Sequence, residues 1–260
     1  MALLQTSFFS QVLGVAASMN VIIPETEQGI GIASARADSE RPLPVLYLLH
    51  GLSDDHSIWL RRTSIERYAA QYRLAVVMPA VNRSFYTDMA HGYRYWTFIS
   101  EELPAIVRGL FKVSGRREDT FAAGLSMGGF GSLKLGLNLP DRYAAIASLS
   151  GAMDVSDFLS NPDNRREGEL IFDSLEQYRG SMNDLYAQAE KLAASGQTRP
   201  KIFQCCGTAD FLYDDNVRFH KHLDALGYDL TYSEKDGAIH EWGYWDEMIQ
   251  QVLAWLPLDN

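Results

Sequence analysis

The chain has 260 residues, 47% hydrophobic and 22% charged, which is the composition of one globular domain with a single core and not of a disordered chain. Its 23 basic and 33 acidic residues leave a net charge of −10, which argues against nucleic acid or an anionic membrane as partner. No stretch reaches the about 18 consecutive apolar residues of a membrane span, and the adjacent Cys205 and Cys206 offer neither a cross-chain staple nor a metal pattern, so a reducing, cytoplasmic setting is expected.

Residues 1–23 are fairly apolar, but they lack Lys and Arg and are broken by Gln5, Thr6, Ser7, Ser10 and Gln11. They read as two strands, 4–13 and 16–23, joined near Gly14, and not as a leader. Val45-Leu46-Tyr47-Leu48-Leu49 is a continuous apolar run, as a doubly buried parallel strand requires. It ends in His50-Gly51-Leu52, where the glycine lets the backbone approach a ligand. A helix over about 64–72 opens on Thr63-Ser64-Ile65-Glu66, which reads as a capping box. A strand over 74–78 stops at Pro79. The next helix carries Ile99, Leu103, Ile106, Val107 and Leu110 on one face, with Pro104 in its first turns.

The strand-like run 119–123 then leads into Gly124-Leu125-Ser126-Met127-Gly128 and a helical run through Leu133, Leu135 and Leu137. G-x-S-x-G between a strand and a helix is the pattern of a nucleophile elbow. A serine on so sharp a turn adopts strained backbone angles, and side chains two residues to either side would collide. Glycines at 124 and 128 remove them. A strand over 144–149 follows, and then about 50 residues separate it from the next strand. That segment, about 152–200, is polar and helix-prone. Leu175, Tyr178, Leu185, Tyr186, Ala189 and Leu192 give it enough packing residues to predict a folded helical cap over the site. The strand 201–206 runs into Gly207-Thr208-Ala209-Asp210, a helix spans 217–226, and the strand 230–233 leads through a polar loop to His240. In the last helix Trp245, Met248, Ile249, Val252, Leu253 and Leu256 keep the 3.6-residue period. Strands alternating with helices predict a single α/β domain over 1–260, a mostly parallel sheet with helices on both faces. No internal repeat or low-complexity segment interrupts it.

The chemistry follows from chain order. A serine hydroxyl is a poor nucleophile at neutral pH unless a histidine takes its proton and a carboxylate fixes that histidine's tautomer. Ser126, Asp210 and His240 each follow a strand, in the order Ser, Asp, His, at the edge where open α/β sheets place their sites. Asp214 and Asp215 follow the same strand as Asp210, but stand just before a helix, where carboxylates cap free N–H groups. His56, His91, His220 and His222 read as surface or core residues. Activity is expected to fall at low pH as His240 takes a proton. The N–H groups of Leu52 and Met127 are the expected oxyanion hole, each worth about 3 kcal/mol. Trp59, Phe85, Tyr86, Phe130, Phe211 and Trp242 are aromatics near these loops. Trp59, Phe130, Phe211 and Trp242 are the substrate-binding candidates, with Phe130 and Phe211 first because they follow catalytic positions closely.

These residues resemble the tributyrin esterase (acetyl esterase) family of the esterase-D-like α/β-hydrolases. The resemblance runs from about Phe8 to Pro257. It is carried by Leu48-Leu49-His50-Gly51-Leu52 with Trp59, Val77-Met78-Pro79 with Phe85-Tyr86-Thr87-Asp88, and Glu101-Glu102-Leu103-Pro104. The elbow with Gly129, Asp210-Phe211-Leu212-Tyr213, and His240-Glu241-Trp242 complete it. It implies the α/β-hydrolase fold, a Ser126–His240–Asp210 triad, an oxyanion hole at Leu52 and Met127, and hydrolysis of short-chain acyl esters without cofactor. Relatives deacetylate carbohydrates, release ferulate, or hydrolyse S-formylglutathione. The last group usually carries histidine before the nucleophile, where this chain has Leu125.

A carboxylesterase acting on a small-molecule or carbohydrate ester is therefore expected. Rivals are an S-formylglutathione hydrolase, an acyltransferase on the same fold, and a non-catalytic binding protein. No His or Cys cluster has metal-ligand spacing, and no metal is expected. No pattern identifies a self-association surface, which leaves a homo-oligomer open.

Overall fold

A computed structural model describes residues 1–25 and 41–258. Eight strands form one sheet: β1 (Ala2–Ser10), β2 (Val15–Ile23), β3 (Val45–Leu49), β4 (Ala75–Pro79), β5 (Thr120–Leu125), β6 (Ala145–Leu149), β7 (Lys201–Gly207) and β8 (Leu230–Lys235). Their order across the sheet is β1-β2-β4-β3-β5-β6-β7-β8. The β1–β2 and β2–β4 pairs are antiparallel and every later pair is parallel. The helices are α1 (Ile58–Arg62), α2 (Ile65–Ala69), α3 (Tyr95–Thr97), α4 (Leu103–Leu110), α5 (Met127–Asn138), α6 (Ser156–Ser160), α7 (Arg165–Phe172), α8 (Leu175–Tyr178), α9 (Leu185–Ser195), α10 (Tyr213–Ala225) and α11 (Trp242–Trp255).

Strand periodicity sorts the core into two layers. Val45, Tyr47, Leu49, Val77, Ala122 and Ile146 face α4, α5, α9 and α10, through Val107, Phe130, Leu133, Leu185, Leu192 and Phe219. Their strand neighbours Leu46, Leu48, Val76, Phe121, Ala123 and Ala147 face α1, α2 and α11, through Trp59, Ile65, Trp245, Ile249 and Val252. The fully apolar runs are therefore buried on both sides, which is the α/β-hydrolase architecture.

Three local expectations are corrected. The capping box does not form: α2 starts one residue later than the box requires, with Ser64 at its N-cap and no side-chain cap. The Thr63 hydroxyl accepts the Ile65 N–H at 3.1 Å, not that of Glu66, and donates to the Trp59 carbonyl at 2.6 Å. The helix around Pro104 is not uniform, since a π-helical turn over Phe98–Glu102 precedes α4. Pro104 has no N–H for the Ser100 carbonyl, which instead accepts from Arg142 at 2.9 Å. Asp214 and Asp215 fall inside the first turn of α10 and do not cap it. The segment 152–200 folds into α6 to α9, and α9 sits with the layer packed on α5, its Leu185, Ala189 and Leu192 buried in that core. Helices α6 and α7 pack on the segment after β4, with Phe158 and Phe172 against Phe85 and the Ile171 and Leu170 carbonyls accepting the Ala90 and His91 N–H groups, and α8 joins them through Tyr178 against Phe172.

Candidate active site

Ser126 stands between β5 and α5 with φ 52° and ψ −118°, a region costly for any residue with a Cβ. Its N–H donates to the Leu149 carbonyl at 2.9 Å, and its own carbonyl accepts from Phe130 and Ala152. The elbow leaves no room beside it. A Cβ on Gly124 would meet the Gly128 carbonyl oxygen at 2.3 Å, and one on Gly128 would meet the Leu49 and His50 carbonyls at 2.5 and 2.8 Å. Both obstacles are backbone, so the two glycines are sterically required. Met127 is the first residue of α5, and its N–H is one of the unpaired donors at a helix N-terminus.

Asp210 and His240 end the loops after β7 and β8. The His240 Nδ1–H donates to both carboxylate oxygens of Asp210, at 3.0 and 2.9 Å, and the carboxylate is wholly shielded from solvent. Burial works against the ionised form of Asp210. The hydrogen bonds from His240, from the Leu212 N–H and from the Ser150 hydroxyl outweigh it and hold the carboxyl below its ordinary pKa. Trp245 completes the setting: its ring stands edge-on to His240 at 4.7 Å, and its Nε1–H donates to Ser150 Oγ at 3.1 Å. Ser150 follows Leu149, the residue that accepts the Ser126 N–H, and it too is left-handed, with φ 46°. Backbone strain thus recurs at Ser126 and at Ser150 on the same sheet edge.

The loop after β3 is tied down on several sides. His50 is buried; its Nδ1–H donates to the Gly51 carbonyl at 2.7 Å and its Nε2 accepts the Val81 N–H at 3.1 Å. Burial lowers its pKa to about 4, so the ring is neutral at physiological pH. The His50 carbonyl accepts the Tyr86 hydroxyl at 2.9 Å. Tyr86 in turn is held through its own carbonyl by the wholly buried Lys134 Nζ, at 2.9 Å, which also reaches Thr87 Oγ1 and lies over the Trp96 ring. On the other side the Asp54 N–H donates to the Gly51 carbonyl at 3.2 Å. Burial raises the Asp54 carboxyl above its ordinary pKa, against a hydrogen bond from the Gly51 backbone. A Cβ on Gly51 would lie 3.1 Å from Asp54 Oδ2 and 3.8 Å from Ser126 Cβ, so this loop passes directly beside Ser126. Leu52 follows it, half-buried.

The aromatic candidates separate. Trp59 and Phe130 are 1% and 0% exposed. Trp59 donates its Nε1–H to the Leu49 carbonyl at 3.0 Å, and Phe130 packs against Phe85 and Phe172. Protein encloses both. Trp242 is half-buried against Trp59 and Trp245. Phe211 alone stands open, beside His240. Of the other histidines, His91 pairs with Asp173 and His222 with Glu190, and none meets Asp210. Asp215 accepts the Met153 and Asp154 N–H groups, at 2.7 and 3.1 Å, which braces the loop after β6. Among the described residues no group of three His, Cys, Asp or Glu side chains is arranged to hold a metal ion.

Sequence reasoning did not find Asp54, Lys134 or Ser150 as parts of this edge. Lys134 leaves one signal, as the single charged residue in the run Met127–Asn138. Ser150 leaves none.

The family described as "Putative esterase" matches residues 24–256. An acetyl esterase of Caldicellulosiruptor saccharolyticus is 31% identical over 264 residues, covering 98% of either chain. A fluorophosphonate-binding serine hydrolase of Staphylococcus aureus, solved with substrate bound, superimposes with a TM-score of 0.88 at 34% identity, over 99% of both chains. The S-formylglutathione hydrolase of the same organism reaches a TM-score of 0.85 at 34% identity, over 98% of both. No helix among the described residues is long and apolar enough to cross a membrane.

Proposed function

The chain belongs to the Esterase family and is a serine-type carboxylic ester hydrolase, and on that premise we propose that it cleaves short-chain acyl esters, acetyl to butyryl, with Ser126 as nucleophile, His240 as base and Asp210 as the base's orienter. The observation that carries this reading is the two-pronged bond from His240 Nδ1 to the shielded Asp210 carboxylate, which leaves Nε2 to take a proton. Ser126 Oγ attacks the ester carbonyl while its proton passes to His240. The N–H groups of Met127 and Leu52 receive the oxyanion. The carbon–oxygen bond to the alcohol breaks, and His240 gives the proton to the departing oxygen. Water then attacks the acyl-enzyme by the same route, releasing the acid. The reaction needs no cofactor. The substrate is a small-molecule ester or an acylated carbohydrate, in keeping with the acetyl esterase relative. Helices α6 to α8 act as the cap over it. The two free, buried cysteines suit a cytoplasmic setting.

Ser126→Ala removes the nucleophile and leaves the elbow's packing intact. It should fold normally, escape labelling by a fluorophosphonate probe that labels the wild type, and lose kcat/KM by several orders of magnitude. Turnover near the wild-type rate would overturn the mechanism.

The likeness to an S-formylglutathione hydrolase supports a second reading, a thioesterase with the same triad. The ratio of kcat/KM for p-nitrophenyl butyrate to that for S-formylglutathione separates the two: a high ratio keeps the carboxylesterase and a low one selects the thioesterase.

A further inference from the structure

Phe211 is 77% exposed, the most exposed large apolar side chain among the described residues. Nothing in the fold requires it there, since leaving an aromatic ring in water forgoes the main stabilisation such a side chain can give. Its position is nonetheless fixed. The Leu212 N–H donates to Asp210 Oδ1 and the Tyr213 N–H to the Asp210 carbonyl, both at 2.9 Å, so the turn that carries Phe211 is the turn that carries Asp210. The Phe211 ring lies 4.5 Å from the His240 ring, tilted by 48°. Ile239, 48% exposed, precedes the same histidine.

The surroundings of His240 decide which part of a substrate meets that ring. Asp210 occupies the Nδ1 edge of the imidazole, and Trp245 stands edge-on to it at 4.7 Å. Nε2 remains, and it must come within about 3 Å of the departing oxygen to protonate it. The first atoms of the alcohol beyond that oxygen therefore lie within a few bond lengths of the imidazole, where the Phe211 ring borders it and the exposed Ile239 precedes it in the chain. Sheet order places the carbonyl oxygen on the other side. The loop that holds Gly51 and Leu52 follows β3, one neighbour of β5, whereas Asp210, Phe211 and His240 follow β7 and β8 beyond its other neighbour. An ester bound across Ser126 thus points its carbonyl oxygen toward the β3 loop and its alcohol toward Phe211.

We propose that Phe211, with Ile239, is the platform for the departing alcohol, and that the preferred substrates are esters whose alcohol presents a flat apolar ring face, either an aryl ring or the C–H face of a pyranose. This rests on the assignment of Ser126, His240 and Asp210 above. It makes Phe211 a selector for the leaving group and not for the acyl chain. The two roles separate kinetically, because acetate esters of different alcohols form the same acetyl-enzyme, and only its formation still involves the alcohol.

The test compares Phe211→Ala and Phe211→Trp with wild type on phenyl acetate, an O-acetylated methyl xyloside and methyl acetate. Loss of the ring contact should lower kcat/KM for at least one ring alcohol about ten-fold in Phe211→Ala, equivalent to about 1.4 kcal/mol. Methyl acetate should change far less. The deacylation rate, read from the steady phase after a p-nitrophenyl acetate burst, should not move, and Phe211→Trp should restore the preference. A loss with phenyl acetate alone selects the aryl class, and a loss that includes the xyloside selects the sugar. An equal fall on all three esters would overturn the proposal, placing Phe211 behind His240 as a mere support. Unchanged selectivity accompanied by a shift from dimer to monomer on sedimentation would also overturn it and assign the ring to a contact with a second copy. A wild-type enzyme that hydrolyses none of the three and resists fluorophosphonate would instead sink the assignment of the triad.

Discussion

Asp210 acts as an ion held in place from several sides. With His240, the Leu212 N–H and the Ser150 hydroxyl all turned toward it, its negative charge is favoured despite burial. Replacing it by asparagine keeps the shape and removes the charge, and the amide nitrogen then presents hydrogens to Nδ1, favouring the tautomer with its proton on Nε2. Asp210→Asn should therefore lower kcat by about three to four orders of magnitude with little change in KM and with the fold intact. Kinetics at saturating ester, alongside a thermal melt, checks this; a loss below ten-fold would mean that Asp210 is only a structural anchor. The three candidate catalytic residues were legible in the chain because each stands in the turn or loop that follows a strand, so sequence order translates into position along one edge. Ser126 carried a further mark in Gly124 and Gly128, whose Cβ atoms would strike backbone. Asp215, the rival carboxylate, shows the limit of that logic. Its place before a helical run predicted a cap, yet the helix starts earlier and the side chain turns across to the Met153 and Asp154 N–H groups. Periodicity does not fix where a helix begins when its first turn is polar.

At the scale of elements, the loop after β3 is positioned by α5 through a relay. Lys134 holds the Tyr86 carbonyl, Phe85 and Tyr86 sit at φ 48° and 53°, and the Tyr86 hydroxyl reaches the His50 carbonyl. The Tyr86 ring lies so close on α5 that a Cβ on Gly131 would meet it at 2.5 Å. The relay thus sets the loop after β3 against the same helix that begins at Met127, the two parts of the proposed oxyanion hole. Tyr86→Phe keeps the ring and removes only the tether. It should cost about 1 kcal/mol of stability. It should also weaken a boronate or trifluoromethyl-ketone transition-state analogue by about the same factor as kcat/KM, because both read the oxyanion hole. Weakened catalysis with unchanged analogue affinity would detach Tyr86 from that loop. None of this relay was readable beforehand, although the elements were: the strands at 45–49 and 119–123 and the helix after Ser126 follow from apolar runs and glycine spacing. The relay joins residues 50, 86 and 134, which no local pattern links, and Tyr86 stood only among the aromatics near the motif loops.

For the molecule as a whole, two buried groups give its stability opposite dependences on pH. The Asp215 carboxyl is raised to about 6, by burial first and by the charge of Asp154, against its two backbone donors and Arg218 at 3.3 Å. Between about pH 4 and pH 6 the unfolded chain has already ionised this group while the folded one keeps its proton, so stability falls as pH rises, by about 3 kcal/mol in all. His50 works the other way. Burial lowers it to about 4, with Asp55 and the Gly51 carbonyl opposing and His56 assisting. Between about pH 6.5 and pH 4 the unfolded chain gains a proton that the folded one refuses, so stability falls as pH drops, again by about 3 kcal/mol. Over their shared window the two slopes nearly cancel. Asp215→Asn mimics the protonated carboxyl at every pH and removes only one of them. The variant should match wild type near pH 4, exceed it by about 2–3 kcal/mol at pH 7.5, and lose stability between pH 6.5 and pH 4 much more steeply than wild type does. Urea midpoints at four pH values across that range check the divergence. Curves that run parallel would mean that Asp215 is ionised in the folded protein throughout, its two N–H donors and Arg218 outweighing burial.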